Sequence, residues 1–374
     1  MSGTPLVTAA DPPAGPARHT RSALLAWAAD GYRTVRHRRL SPAGFTRISS
    51  LAVWSLGLII VTGGLVRLTQ SGLGCPDWPT CASHRVVAPW RFQAGGECGN
   101  RLVTAGLSVV TVAAVAGALI RVTRRRDLTW LSVGLVAGIA AEIVLGGLTV
   151  RHQLAPQYVM AHFLLAVVFL ADAVVLHHRA GLPEEPVPGR MGRPSGRSRP
   201  AGRAVSLVSP GQHMLARLLL ALTGVAVVLG TIVTSTGPHG GDAAARRFAF
   251  SLHDEAQLHA ASVELLLACT LLTLWSINRS GPPRPVVRAG EMFLIAVVAQ
   301  GGIGYLQYFT GVPTGLVALH IVGATAVVIA ALHFNLRLTV RGQPVPFAPP
   351  GPAEGAVAGT GPAAEPVPAG STRT

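Results

Sequence analysis

Eight stretches of about 20 apolar residues, the length that crosses a bilayer, divide this chain: roughly residues 48–68, 101–121, 130–150, 160–178, 215–235, 258–277, 291–310 and 317–337. Clusters of Arg, Pro and Gly bound each one. Hydrocarbon offers no partner to a backbone N–H or C=O, so stretches of this length must satisfy their own groups and are expected as transmembrane helices. Composition agrees, with 49% hydrophobic residues, 13% charged residues and a mean hydropathy of +0.45, which a water-soluble domain rarely shows. The expected fold class is an all-α integral membrane protein.

The placement of arginine predicts the topology. All 31 basic residues are Arg, and 24 of them fall in the N-terminal tail, the loops after segments 2, 4 and 6, and the C-terminal tail. Seven lie on the other side, at positions 67, 85, 91, 101, 151, 246 and 247. The positive-inside rule then places both termini in the cytoplasm and the chain in the cell membrane. A net charge of +15 invites a nucleic-acid reading. Runs such as Arg124-Arg125-Arg126 abut segment ends, however, so the charge is read as topological and nucleic acid is not an expected partner. Residues 1–47 and 339–374, rich in Pro, Ala, Gly and Arg, are expected as disordered cytoplasmic tails. Residues 181–214 read as a flexible cytoplasmic linker between a four-segment half at 48–180 and a second at 215–338. Arg38-Arg39 imitates an export signal, but segment 1 is long and no small-residue cleavage site follows it, so an uncleaved first helix is expected.

The two halves are related. Ala141-Glu142, Leu145-Gly146, Leu148 and His162 recur as Ala299-Gln300, Ile303-Gly304, Leu306 and His320, always 158 residues on. Four segments per half return the chain to the side it left, so the copies run parallel, as two pseudo-symmetric four-helix bundles with one ligand position repeated. His162, His259 and His320 open segments 4, 6 and 8 on the outer side, and Asn100 stands in the first half where His259 stands in the second. Imidazoles on facing helices can clamp a porphyrin through its iron. A lone histidine at a helix end is as readily an interfacial anchor; the repeat favours ligation for the His259 and His320 pair.

The first half carries different chemistry. In Glu97-Cys98-Gly99-Asn100-Arg101 a carboxylate precedes the Asn by three residues, on one helix face if the helix starts early enough. Ionisable groups at such a position are costly and usually functional; the alternative is a Glu97 to Arg101 surface ion pair, worth little. Cys75 and Cys81 share the loop between segments 1 and 2, on the oxidising side by this topology. Two prolines between them could turn the chain to join them, while two free thiols or an incomplete metal pair are the alternatives. Cys98 and Cys269 read as structural. Arg67, Arg101, Arg246 and Arg247, outer-side cations near segment ends, are candidate partners for carboxylates of a bound group.

Together, Gly63-Gly64-Leu65-Val66-Arg67-Leu68-Thr69-Gln70-Ser71-Gly72-Leu73-Gly74-Cys75-Pro76-Asp77-Trp78-Pro79, Glu97-x-x-Asn100-Arg101, Thr236-Gly237-Pro238-His239-Gly240-Gly241-Asp242, Gln257-Leu258-His259-Ala260 and Gly304-Tyr305-Leu306-Gln307 resemble the haem A synthase family, from about residue 48 to 337. The resemblance implies two four-helix bundles and an oxidoreductase that converts a methyl group of haem O to the formyl group of haem A for terminal oxidase assembly. It implies a resident haem b held through His259 and His320, haem O as the substrate of the N-terminal bundle, a chemical role for Glu97 and a Cys75–Cys81 loop disulfide. Haem O synthase, terminal oxidase assembly factors and an unidentified electron acceptor are the partners it implies. The chain departs from the family in one place. Asn100 stands where the family commonly has histidine, which leaves His162 as the strong iron ligand of the first half, because an amide binds iron poorly beside imidazole. A di-haem cytochrome b exchanging electrons with quinone is the alternative, and it needs four equivalent ligands. A transporter would want inverted repeats and polar groups at mid-membrane.

Overall fold

In the computed structural model, residues 39–75, 78, 81, 91–188 and 194–341 are described. Arg85 and the parts of the expected tails at 1–38 and 342–374 lie outside them. The eight apolar stretches form helices α1 (Pro42–Leu68), α2 (Phe92–Ile120), α3 (Arg126–Arg151), α4 (Pro156–Ala180), α5 (Pro210–Thr236), α6 (Leu252–Ser280), α7 (Arg284–Phe309) and α8 (Thr314–Arg337). All eight are long and apolar enough to cross a membrane, yet only 22% to 33% of each apolar core window is buried inside the protein. The rest faces outward. Phe92, Trp54, Trp130 and Phe309 are each 73% to 76% exposed, which is a poor arrangement in water and an ordinary one against lipid and its interfaces. The chain is a multi-pass membrane protein.

Helix starts run ahead of the apolar windows, and side-chain caps account for three of them. Before α1, Ser41 Oγ accepts the Gly44 N–H at 3.1 Å and Pro42 takes the first helical position. Before α5, Ser209 and Gln212 bond reciprocally to each other's backbone N–H, and before α6 Ser251 Oγ accepts the Asp254 N–H. Such caps satisfy orphan donors and start a helix in polar sequence. The same early start in α2 brings Glu97 and Asn100 into helix, on neighbouring turns of one face.

The duplication is visible in helix lengths: α1 and α5 have 27 residues, α2 and α6 have 29, α3 and α7 have 26, and α4 and α8 have 25 and 24. In each half the four helices close a ring, α1–α2–α3–α4 and α5–α6–α7–α8. Phe45, Leu56, Leu128, Leu135 and Leu170 fill the first core. Leu219, Leu266, Phe293 and Phe334 fill the second. The rings meet where α1 and α4 touch α8 and where α4 touches α5. Small residues let the backbones approach there: a Cβ on Gly64 would lie 2.7 Å from Ile321 Cδ1.

Between α4 and α5 the chain carries strands where a flexible linker was expected. Strand β1 (Glu184–Pro188) pairs antiparallel with β2 (Pro194–Pro200), and β3 (Ala204–Ser206) pairs antiparallel with β4 (Thr339–Arg341), just past α8. Side chains explain the order. Glu184 Oε1 lies 2.7 Å from Arg121 and 3.4 Å from Arg125, and its Oε2 accepts from Thr123 and Ser198. Burial pushes the Glu184 carboxyl up, but the hydrogen bonds from Arg121, Ser198 and Thr123 and the Arg121 charge together hold it below its ordinary value. Arg125 also pairs with Asp127 at 2.7 Å and donates to the Arg179 carbonyl, so part of the arginine run is buried structure as well as topological signal.

Candidate functional site

Three histidines and an asparagine stand at one depth. Counted from the helix starts, His162 and His320 are the seventh residues of α4 and α8, His259 the eighth of α6, and Asn100 the ninth of α2. At 1.5 Å per residue they form one layer near the ends of the bundles.

In the second half His259 and His320 face each other, with ring centres 6.4 Å apart and planes at 80°. That spacing suits a shared metal ion, since two imidazoles bonded to one first-row ion at about 2 Å each have ring centres about 6 Å apart. The surroundings are cleared for them. A Cβ on Gly230 would lie 3.1 Å from His259 Cε1, and one on Gly304 would lie 3.1 Å from His320 Cε1. His259 Nδ1 and His320 Nδ1 are both buried without a hydrogen bond. Buried polar atoms left unmatched cost about 1–3 kcal/mol each, and two buried imidazoles facing one another are the donor set that a bound metal group would need. The residues present fit a bis-imidazole haem.

The first half is not its copy. His162 Nδ1 lies 2.5 Å from Glu142 Oε2, close enough for an ion pair but not aligned as a hydrogen bond. Glu142 is buried on α3, one turn from Gly146, where a Cβ would lie 3.4 Å from His162 Cε1. Its counterpart Gln300 turns instead to the backbone, donating to the His320 carbonyl at 2.8 Å. Across the bundle, Asn100 Oδ1 accepts from Thr62 Oγ1 at 2.8 Å. Glu142 was legible as half of the repeat and as an intramembrane acid, yet its partnership with His162 was missed, as was that of Thr62.

Glu97 is buried, 6% exposed, and fully engaged. Its Oε2 accepts the Cys75 backbone N–H at 2.7 Å, and its Oε1 lies 2.6 Å from an Arg101 nitrogen. The sequence pictured two exclusive fates for this carboxylate, a reacting group or a surface ion pair. The structure has a third arrangement, a buried ion pair that also clamps Cys75, just past α1, to α2. Cys75 and Cys81 are joined as a disulfide, with Cα atoms 4.4 Å apart, and Ala94 and Cys98 pack against it. Gly74 must be glycine here, because a Cβ would run into the Gln93 backbone of α2. Trp78 of the same loop lies over Gly147, where a Cβ would come 2.8 Å from the indole. Trp78 therefore lies over the turn of α3 that carries Gly146 and Gly147, beside His162.

Two of the four candidate carboxylate partners are occupied by backbone. Arg67 Nε donates to the His239 carbonyl at 2.6 Å and its terminal nitrogen to the Thr234 carbonyl at 2.8 Å. An Arg247 terminal nitrogen donates to the Pro238 carbonyl at 2.6 Å. His239 in turn reaches the Val312 carbonyl at 3.0 Å, and the Gly72 N–H donates to the Gly241 carbonyl at 3.0 Å. The Thr236–Asp242 motif thus fastens the second half to Arg67 and Gly72 of the first. Gly241 needs its glycine, with φ at +97° and Leu154 and Arg67 packed against it.

The chain is a duplicated multi-pass membrane bundle with a facing imidazole pair in one half and an imidazole against a carboxylate in the other. Comparison with known proteins narrows this. The family of cytochrome oxidase assembly proteins, COX15-CtaA, matches residues 46–332, and the chain belongs to that family. It is similar to the heme A synthase of Bradyrhizobium sp. (strain ORS 278), 25% identical over 354 residues that cover 78% of this chain and 90% of that protein. It is also 34% identical over 116 residues to the heme A synthase of Geobacillus kaustophilus (strain HTA426), across 30% of this chain and 35% of that protein. The matched stretch spans about a third of the Geobacillus protein.

Proposed function

We propose that the chain is a haem A synthase, an oxidoreductase that converts a methyl group of haem O to the formyl group of haem A. Family membership and the similarity to proteins named heme A synthase support this reading. The observation that carries it at the site is the inequality of the two halves. A matched pair, His259 and His320, suits a resident haem b in the C-terminal bundle. A single imidazole, His162, beside the turn that Trp78 covers suits a haem O that must enter and leave the N-terminal bundle. A di-haem cytochrome b has no use for that inequality, and Asn100 opposite His162 disfavours it.

Taking a methyl to an aldehyde removes four electrons, and iron supplies the oxidising chemistry when haem is bound. The chain's own groups bind, orient and shield. His162 holds the substrate's iron, with Glu142 fixing its ring. Glu97 places a carboxylate at the mouth of the bundle, where it takes up a proton or stabilises positive charge developing at the methyl carbon. Arg101, paired with Glu97 at the mouth of the bundle, is better placed for a propionate than Arg67, which is bonded to two carbonyls and braces the bundles instead. The arginine distribution supports cytoplasmic termini and an outer-side site. Haem O synthase, terminal oxidase assembly factors and an electron acceptor are the proposed partners, and a haem b held by His259 and His320 would supply one-electron redox chemistry.

Pyridine haemochrome analysis of the purified chain, with chromatography of the extracted porphyrins, tests the reading. Haem b together with haem O or haem A is the expected content. Two equivalents of haem b and nothing else would favour the di-haem cytochrome.

A further inference from the structure

The layer that places His162 opposite Asn100 differs from its repeat in three ways at once. Asn100 replaces the second imidazole, and its Oδ1, the amide atom with most affinity for iron, is engaged by Thr62 Oγ1 at 2.8 Å. On the helix aligned with α1 in the second half, the corresponding turn carries Gly230, which leaves room for the His259 ring. Glu142 stands 2.5 Å from His162 Nδ1, where the second half has Gln300 bonded to backbone and, among the described residues, no carboxylate ion-paired with either ring. A carboxylate on the far nitrogen of a ligating histidine fixes the ring, keeps its other nitrogen for the metal and strengthens it as a donor. With Oδ1 engaged by Thr62, the amide N–H groups of Asn100 are what it has to offer a bound group, as hydrogen-bond donors and not as ligands.

We infer that the N-terminal bundle binds haem through one imidazole only, His162 braced by Glu142, and leaves the iron face beneath Asn100 open to a diatomic ligand that accepts a hydrogen bond from the amide. This rests on the reading that the N-terminal bundle takes a haem. Glu142 is a positioning residue in this arrangement, acting through His162. Thr62 is another, acting through Asn100. The C-terminal bundle, with two imidazoles, is closed to such ligands.

The full chain, purified in detergent and reconstituted with haem b until uptake ceases, supplies the test, with carbon monoxide on the ferrous protein and cyanide on the ferric protein as probes. Two haems per chain are expected, one low-spin and indifferent to both probes, the other high-spin and shifted by each. Asn100→His should turn the second haem low-spin and lower its carbon monoxide affinity at least tenfold. Glu142→Gln should leave the haem count at two while lowering the iron–histidine stretching frequency and raising the midpoint potential of the responsive haem alone. If two haems bind and both are low-spin and unmoved by carbon monoxide in the unaltered chain, the open face is refuted while a haem in each bundle stands. A wild-type shift that Glu142→Gln leaves at the parent frequency and potential would remove Glu142 from the account. One haem per chain, lost in His259→Ala and kept in His162→Ala, would overturn the haem reading of the first bundle and the inference together.

Discussion

Replacing Glu97 with Gln separates the two things that its carboxylate is proposed to do. The first is structural and its size follows from the contacts. The carboxylate accepts one N–H from Cys75 at 2.7 Å and pairs with Arg101 at 2.6 Å. Hydrogen bonds to charged groups are worth about 1.5–3 kcal/mol each. The Gln oxygen can keep the bond to Cys75 but cannot hold Arg101 as an ion pair. Because the Arg101 side chain is 26% exposed, water recovers part of what it loses, and a net cost of about 1–2 kcal/mol is expected, below the cost of stranding a fully buried partner. The second is chemical. Removing one preorganised proton-transfer or charge-stabilising group lowers rates by about 10²–10³, equivalent to about 3–4 kcal/mol in the barrier. The chemical loss is therefore the larger, and it can be read apart from the structural one by expressing haem A formed per low-spin haem retained. Glu97→Gln should keep the His259/His320 haem spectrum and lose haem A formation by two to three orders of magnitude on that scale. A variant that forms haem A at the parent rate, or whose deficit only tracks lost low-spin haem, would reduce Glu97 to a clamp on the loop.

Three further expectations are less involved. Cys75→Ser with Cys81→Ser should loosen the outer loop by about 2 kcal/mol, the entropy of so small a ring, seen as faster amide exchange at residues 71–75 and weaker retention of haem O, with the C-terminal haem unmoved. Arg67→Ala leaves the Thr234 and His239 carbonyls without their donor; at about 1–3 kcal/mol per stranded group it should lower the thermal midpoint and speed exchange in residues 237–242, and an unchanged midpoint would count against Arg67 as the brace between halves. Glu184 has a folded value below its ordinary 4.5, so its contribution is complete above about pH 4.5 and is lost as pH falls through the lower folded value. Glu184→Gln should thus be less stable than the parent at pH 7, and the gap should close towards pH 3.

Hydropathy and the 158-residue repeat were enough to place all eight helices and to put His162, His259 and His320 in one layer, because lipid exposure and duplication both write themselves into local sequence. Partners remote in the chain were not legible. Arg67 meets His239 and Thr234, 172 and 167 residues away, and carries an outer-side charge that reads equally well as a propionate partner. Glu97 could be weighed only against its helical neighbour Arg101, since nothing local says that the Cys75 N–H would close on it from 22 residues back. The linker misled for the same reason: its Pro, Gly and Arg composition suits a flexible chain, while the order comes from β4 beyond α8 and from Arg121 and Arg125 closing on Glu184. Glu142 was in plain view as the partner of Gln300 in the repeat, and only the folded bundle put it against His162.

The central claim is that haem O is oxidised in the bundle of His162 while the bundle of His259 and His320 holds the resident haem. Expression in cells that make haem O but lack their own haem A synthase, followed by chromatography of the extracted haems, tests it directly. The parent chain should yield haem A, and His162→Ala should yield none while its low-spin haem spectrum remains. Haem O left unconverted by the parent chain, or haem A formed as readily by His162→Ala, would contradict the account.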